Sequence, residues 1–301
     1  MASNVTTAAE SNVITTSQIA KAREVDFVQR FTENVLKKLM EALGVVRKIP
    51  MMEGTAMYVY KTTGTLQPGT VTEGEIIPLS QYQRTRTAVD EITLNKWRKA
   101  VTAEAIKKLG YDEAMRQTDQ KMLSDIQKSI RTAFFNFLKG LEGTEVSGDT
   151  LQAVLAHSWG KLQVLFEDDS VEPVHFVNPL TIADYLATAT VTTQTAFGMS
   201  YIQDFLGMGT VVMSSQIPEN KVFSTAKENL VLYYLTMSGD VAQAFNLTVD
   251  ETGYIGMHTS QTDNRAQIET LVMFGIQFLV EYADGVVVGV LGGDDEEEEN
   301  P

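Results

Sequence analysis

The chain has 301 residues, 44% of them hydrophobic and none of them cysteine, so disulfides and thiolate metal sites are excluded and the length suits one large domain or two smaller ones. Residues 1–139 hold 20 of the 24 basic and 15 of the 39 acidic residues, a net +5, and residues 140–301 are left with −20. An acidic chain makes a poor general nucleic-acid binder, because phosphate contacts supply that affinity; the asymmetry suits copies that pack basic segments against acidic neighbours, although a solvated charge is the plainer account of any single residue.

Residues 1–18 are rich in Ala, Ser, Thr and Asn without periodicity and predict a mobile arm. The opening MASNVTTAAESN lacks the basic and apolar stretches of a signal peptide, so a soluble, intracellular product is expected. Glu24 to Leu43 predicts one amphipathic helix, with Val28, Phe31, Val35, Leu39 and Leu43 on a face and Gly44 as its stop. Val45 to Met51 predicts a short extended segment. Ala56 to Thr62 (AMYVYKT) and Gln81 to Leu94 predict the two strands of a long hairpin, the second about 45 Å long at about 3.3 Å per residue. Its outer half, Gln81 and Gln83 to Thr87, is polar on both faces, and a hairpin without an apolar face is marginal in water. The tip, Gly64 to Pro78, mixes turn residues with Ile76 and Ile77. The pattern predicts an arm that leaves its own domain and docks on another molecule; an exposed free hairpin is the alternative.

Thr102 caps a short helix to Leu109, which Gly110 ends. Asp112 to Lys139 predicts one long helix, with Met115, Met122, Ile126, Ile130, Phe134, Phe137 and Leu138 at steps that keep one face. Asp112 and Glu113 suit the positive N-terminal end, Lys139 suits the C-terminal end, and Gly140 supplies a cap. At about 1.5 Å per residue the helix is roughly 40 Å long.

Gly140 to Asp149 (GLEGTEVSGD) predicts a link between subdomains. A mixed α/β block follows over 150–237: a helix Thr150 to Phe166 with Leu151, Val154, Leu155, Leu162 and Leu165 inward, a buried strand Val174 to Val177, and a helix Leu180 to Ala187 opened by Pro179. Tyr201 to Leu206 predicts a short helix or turn. Thr210 to Ser214 and Lys221 to Ser224 predict strands around Pro218-Glu219-Asn220, and Leu230 to Leu235 another strand. Residues 240–270 predict strands and loop. Leu271 to Tyr282 and Val286 to Leu291 predict paired buried strands joined at Ala283-Asp284-Gly285; Gln277, Glu281 and Asp284 make the run too polar for a membrane span. GGDDEEEENP predicts a solvated, disordered acidic tail.

Motifs for chemistry are sparse. His157, His175 and His258 stand outside any HExxH spacing and are expected to be structural. Gly207-Met208-Gly209 lacks the dinucleotide fingerprint and reads as a turn. Asp168-Asp169 reads as a solvated loop, and Ser158, Ser214 and Ser215 lack a nucleophile-elbow context. Thirteen methionines suit core filling. No catalytic, cofactor-binding or metal site is expected.

The segment order and several stretches together resemble the major capsid proteins of tailed phages, with their HK97-like fold. TEGEIIPLSQYQ (Thr72 to Gln83) is similar to the end of the family's extended loop, the E-loop. HFVNPLTIADYL (His175 to Leu186) and FGMSYIQDFLGMGTVVMSSQIPENKVFSTAKENLVLYYL (Phe197 to Leu235) are similar to its axial A-domain. ETLVMFGIQFLVEYADGVVVGVL (Glu269 to Leu291) is similar to the last strands of its peripheral P-domain. The resemblance covers residues from about 20 to 291 and rests on extended segments in order, not on a catalytic signature.

The resemblance implies an α+β, HK97-like capsid fold with an N-terminal arm, an extended E-loop hairpin, a long spine helix in a P-domain and an inserted mixed α/β A-domain. The expected division is 1–50 arm and helix, 51–96 E-loop, 97–149 P-domain with the spine helix, 150–239 A-domain, 240–293 P-domain closing strands and 294–301 acidic tail. It implies a non-enzymatic subunit that assembles as hexamers and pentamers into the icosahedral head shell around phage DNA. Its partners would be itself, a separate scaffolding protein, a portal protein at one vertex and packaged double-stranded DNA held without sequence specificity. No membrane or cofactor is implied. The location would be the virion, after assembly in the host cytoplasm. About twenty residues precede the first helix, so a fused scaffold is not expected. Lys61, Glu73, Glu75, Ile76, Ile77, Arg84 and Arg86 on the arm are the expected inter-subunit contacts. Some members crosslink a lysine to an asparagine; Lys61 is the arm's lysine, with no partner assigned. The rivals are an encapsulin-like shell around protein cargo, a phage tail or decoration protein, and an enzyme on a mixed α/β fold.

Overall fold

The computed structural model describes residues 16–32, 37–45, 47–166, 171–188, 193–196, 199–249 and 251–292. They fall into two compact units. One is formed by the chain up to Thr32 with Asn95–Gln120 and Thr236–Phe274; the other by Glu33–Leu94, Lys121–Leu235 and the chain from Gly275 onward.

The first unit is a four-stranded antiparallel sheet in the order Thr248–Val249, Ile255–Thr262, Gln267–Phe274, Asn95–Thr102. Helix Thr16–Phe31 packs on it through buried Phe27, Val28 and Phe31, with the Phe31 and Phe274 rings 6.5 Å apart. A charged network ties this unit together. Glu24, 5% exposed, accepts from the Thr259 backbone N–H and the Thr248 hydroxyl, each at 2.5 Å. Asp119 pairs with Lys99 at 2.5 Å and Arg23 at 3.4 Å. Burial pushes the Lys99 pKa down, and the Asp119 carboxylate opposes that shift. Strand Asn95–Thr102 escapes the sequence pattern because it lies at the edge of its sheet with most positions exposed.

Helix Tyr111–Lys139 runs unbroken for 29 residues. Met115, Met122, Ile126, Ile130, Phe134 and Leu138 are buried as the spacing requires, but Phe135 takes the buried place expected of Phe137, which is only half-buried. In the second unit Phe134 and Phe135 meet Phe176 at 5.4 and 5.8 Å, and Phe134 meets Phe278 at 6.1 Å. These edge-on ring contacts form the heart of that core.

The second unit holds a seven-stranded sheet in the order Thr144–Gly148, Val286–Leu291, Lys221–Ala226, Pro173–Val177, Thr210–Met213, Met199–Ile202, Gln194–Ala196. Helix Leu151–Leu165, capped by Thr150, which accepts from the Ala153 N–H at 3.2 Å, covers it. The approach is close: a Cβ on Gly289 would sit 2.3 Å from Val154 Cγ1. A three-stranded sheet, Arg47–Met51 beside Leu230–Leu235 beside Ile276–Val280, completes this unit with the two-stranded arm.

Several expectations are corrected. The single helix Glu24 to Leu43 is two, Thr16–Phe31 and Lys37–Leu43. The link Gly140 to Asp149 contains a strand, because Thr144–Gly148 pairs in parallel with Val286–Leu291. Tyr201 to Leu206 divides between strand Met199–Ile202 and a 3-10 turn at Phe205–Gly207. Residues 240–270 include a five-residue helix, Asp240–Ala244. Leu165 is 39% exposed, since the inward face ends at Leu162. Leu271 to Tyr282 is broken at Gly275, where a Cβ would lie 2.5 Å from Leu235 Cδ1. Ile276–Val280 and Val286–Leu291 are not partners of each other; the first pairs with Leu230–Leu235, the second with Lys221–Ala226. Val35, Asp168, Asp169, residues 1–15 and the acidic tail from 293 lie outside the described residues.

Candidate functional site

The arm is strand Ala56–Thr65 paired antiparallel with Gln81–Glu91. Its root is apolar: Met57, Val59 and Ile92 are buried. The Ile92 N–H donates to Thr55 O at 3.1 Å and the Tyr60 N–H to Glu281 O at 2.7 Å. A bulge falls between Met57, opposite Asp90, and Tyr58, opposite Ala88, which leaves Val89 unpaired and twists the hairpin. All eleven residues of Gln81–Glu91 are exposed.

The sequence-selected residues divide into two groups. At the root, the Arg84 guanidinium carbon lies 3.8 Å from the Tyr60 ring centroid and 5.6 Å from that of Tyr282, and Arg86 lies 4.6 Å from the Tyr58 ring. Arg84 Nη2 also donates to the Tyr282 hydroxyl at 3.3 Å, and Lys61 Nζ pairs with Asp284 at 3.3 Å. These three cations therefore have partners within their own chain. Nearby, Arg47 forms an ion pair with Glu281. A cleft of about 500 Å³ beside the root is lined by Val59, Lys61, Ala88, Phe137 and Leu141.

At the tip, Ile76 is 94% exposed, Leu79 91% and Ile77 70%. Leu66 and Tyr82 are exposed with them. Glu73 and Glu75 flank Gly74, whose φ of 88° sets a turn in which the Glu75 N–H donates to Thr72 O at 3.1 Å. The Glu75 carboxylate accepts from the Thr72 N–H at 3.3 Å. Apolar side chains exposed to this degree gain nothing from folding.

Sequence reasoning missed the aromatic half of the root, Tyr58, Tyr60 and Tyr282, and the acid Asp284. Tyr58 and Tyr60 stand two apart and so share a strand face, which is a readable signal. Their pairing with arginines depends on the bulge and is not readable.

The histidines are structural in their contacts. His175 is fully buried; its Nε2–H donates to Met208 O at 3.0 Å and its Nδ1 accepts from the Ser224 hydroxyl at 2.7 Å. Burial pushes its pKa down to about 4. His157 Nδ1–H donates to Ser147 O at 2.7 Å, and His258 is half-buried in strand Ile255–Thr262. Among the described residues no group of three His, Asp or Glu side chains is placed to hold a metal, and no helix is long and apolar enough to cross a membrane.

No protein-family model matches the chain, and no curated protein matches it in sequence. Solved structures do match in shape. The capsid of a native GTA particle superposes with a TM-score of 0.56 at 8% identity, covering 85% of this chain and 90% of that one. The capsid of cyanophage P-SCSP1u gives 0.51 at 9% identity, covering 85% and 88%. This is the HK97-like capsid fold. The holo-SrpI encapsulin of Synechococcus elongatus PCC 7942 is also similar, with a TM-score of 0.47 at 14% identity over 87% and 90%. On this HK97-like chain the α+β class, the long helix, the projecting hairpin and the mixed α/β block are all present. The structures it resembles are shell proteins, and at such identities the similarity is one of fold.

Proposed function

We propose that this chain is a major capsid protein that assembles as hexamers and pentamers into an icosahedral head around double-stranded DNA. The observation that carries the reading is the arm: a hairpin anchored at a buried root and ending in exposed Ile76, Ile77 and Leu79. A closed shell of identical copies supplies the missing surface, since each copy presents both the tip and its receptor. Glu73, Glu75, Ile76 and Ile77 touch the neighbouring copy. Lys61, Arg84 and Arg86 serve the same interface from the root, by setting the direction in which the tip is presented.

The domain reading belongs to the same proposal: residues 51–96 as the E-loop, 97–149 with the spine helix and 240–293 as the P-domain, and 150–239 as the A-domain. Strands Thr144–Gly148 and Val286–Leu291 join the A-domain sheet. A separate scaffolding protein, a portal and packaged DNA are the partners of this reading. Assembly would take place in the host cytoplasm and the product would reside in the virion.

The test is negative-stain electron microscopy with size-exclusion light scattering on purified chain. Closed shells, or rings of five and six, support the reading. Particles that co-purify with a protein cargo and lack DNA when made beside their genomic neighbours identify an encapsulin-like compartment instead. A chain that stays monomeric with those neighbours co-expressed overturns the shell reading altogether.

A further inference from the structure

The cleft of about 500 Å³ at the root of the arm has an apolar wall that the fold leaves partly wet. The bulge leaves Val89 unpaired and 38% exposed, and Phe137 and Leu141 are only half-buried. Buried Val59 and exposed Ala88 complete that wall. Glu142 is the one acid among the described residues that line the cleft, and the lining cation Lys61 is held by Asp284. The volume falls within the roughly 300–1,000 Å³ of clefts that enclose a small ligand.

The tip carries the side chains that such a wall accepts. Ile76, Ile77 and Leu79 are too exposed to lie in the cleft of their own chain. The strands keep the two apart: Thr65 stands five residues beyond Tyr60, about 17 Å along an extended strand. The Gln67 N–H donates to Ser80 Oγ at 3.0 Å, which holds the base of the tip closed. Each copy thus presents one tip and one cleft that it does not join itself. Charge agrees with a meeting between copies. Lys139 lies exposed between the lining residues Phe137 and Gly140, and Glu73 lies exposed on the tip. Neither side chain has a partner among the described residues.

We propose that this cleft receives Ile76, Ile77 and Leu79 of a second copy, and that the docked tip steadies the arm of the copy that receives it. The inference deepens the shell reading, from which it takes the second copy. The contact runs head to tail, so any open row of copies ends in one unused tip and one unused cleft, and only a ring satisfies all of them. Val59, Thr87, Ala88 and Val89 form part of the cleft and belong to the root of the receiving hairpin. Apolar contact there restrains the strands whose rotation aims the next tip, so each docking favours the one that follows.

The chain has no cysteine, so introduced cysteines report the contact against a clean background. A heavy-isotope donor, full length, carries Ile77→Cys together with Ala88→Trp, which fills its own cleft. A light receiver carries Val89→Cys together with Ile76→Asp and Leu79→Asp, which disable its own tip. Under mild oxidation the two should form a disulfide-linked pair at least tenfold faster than the donor links to a receiver with Val164→Cys instead, at a position 66% exposed on helix Leu151–Leu165. Ala88→Trp in the receiver should remove that advantage, and amide exchange over residues 81–91 of the linked receiver should slow severalfold. Equal rates at the two cysteines, an advantage that survives Ala88→Trp, or unchanged exchange overturns the proposal. Wild-type shells in electron micrographs beside equal rates move the receptor elsewhere and leave the shell reading standing. Fast linkage in a chain that forms no shells keeps the receptor and removes the shell reading.

Discussion

The Arg84 guanidinium lies 3.8 Å from the Tyr60 ring centroid while its Nη2 donates to the Tyr282 hydroxyl at 3.3 Å, so one side chain on the returning strand clamps two aromatics at the root of the arm. Each exposed cation–ring contact contributes only about 0.5–1 kcal/mol. Its influence is on direction, because a small rotation at the root moves a tip some ten residues away. Reversing both charges, Arg84→Glu with Arg86→Glu, should leave the monomer's melting temperature within a few degrees, speed amide exchange over residues 81–91 and abolish particles. A wild-type particle yield would rule out a role for the root in assembly.

Ile76 and Ile77 are 94% and 70% exposed, so replacing them costs the folded chain nothing. Burying two such side chains on a neighbour is worth about 3 kcal/mol or more. Ile76→Asp with Ile77→Asp should raise the concentration at which assembly begins by roughly a hundredfold, read by light scattering. Assembly at the wild-type concentration would place the contact elsewhere on the arm.

His175 titrates from a buried, neutral state, with its pKa pushed down to about 4 from an ordinary value near 6.5. The unfolded chain binds the proton first. Stability associated with this residue is therefore complete above pH 6.5 and is lost as pH falls toward 4, by about 3 kcal/mol across that window. Denaturant melts at pH 7 and pH 4.5 should show a smaller pH dependence in His175→Gln than in the native chain. An unchanged slope would mean that other groups carry the acid sensitivity.

Gly209 combines a φ of +113° with a backbone collision, since a Cβ there would lie 2.2 Å from Pro173 O. Gly209→Ala should destabilise the second unit by at least about 2 kcal/mol in urea melts. Gly69→Ala, where a Cβ meets nothing within 4 Å, is the neutral control. Equal midpoints for the two variants would contradict the packing described at Pro173.

Much of the architecture was legible in the residues. The three- and four-residue spacing from Met115 to Leu138 marks a helix wherever it occurs, and the structure places it at Tyr111–Lys139. Thr150 and Thr102 announce helix starts because their hydroxyls satisfy the same N–H groups in any context. The exposed tip was legible too, as apolar residues embedded in turn chemistry. Strand Asn95–Thr102 was not, since an edge strand carries no apolar alternation, and the link at Thr144–Gly148 hid a strand whose partner is more than a hundred residues away.

What the sequence determined by itself is local: the long helix, the capped helix starts, the apolar strands, several of the turns, and the polar outer half of the hairpin. Periodicity and capping act over a few residues, and those preferences survive any fold. Only the tertiary structure decided which strands pair, that Gly275 divides one apolar run between two sheets, that Arg84 meets Tyr60 and Tyr282, and that Lys128 and Arg131 share a pocket with Ser214 and Ser215. Those relationships depend on register, on a single bulge and on strand direction. They are fixed by packing between segments far apart in the chain, and no window of neighbouring residues contains them.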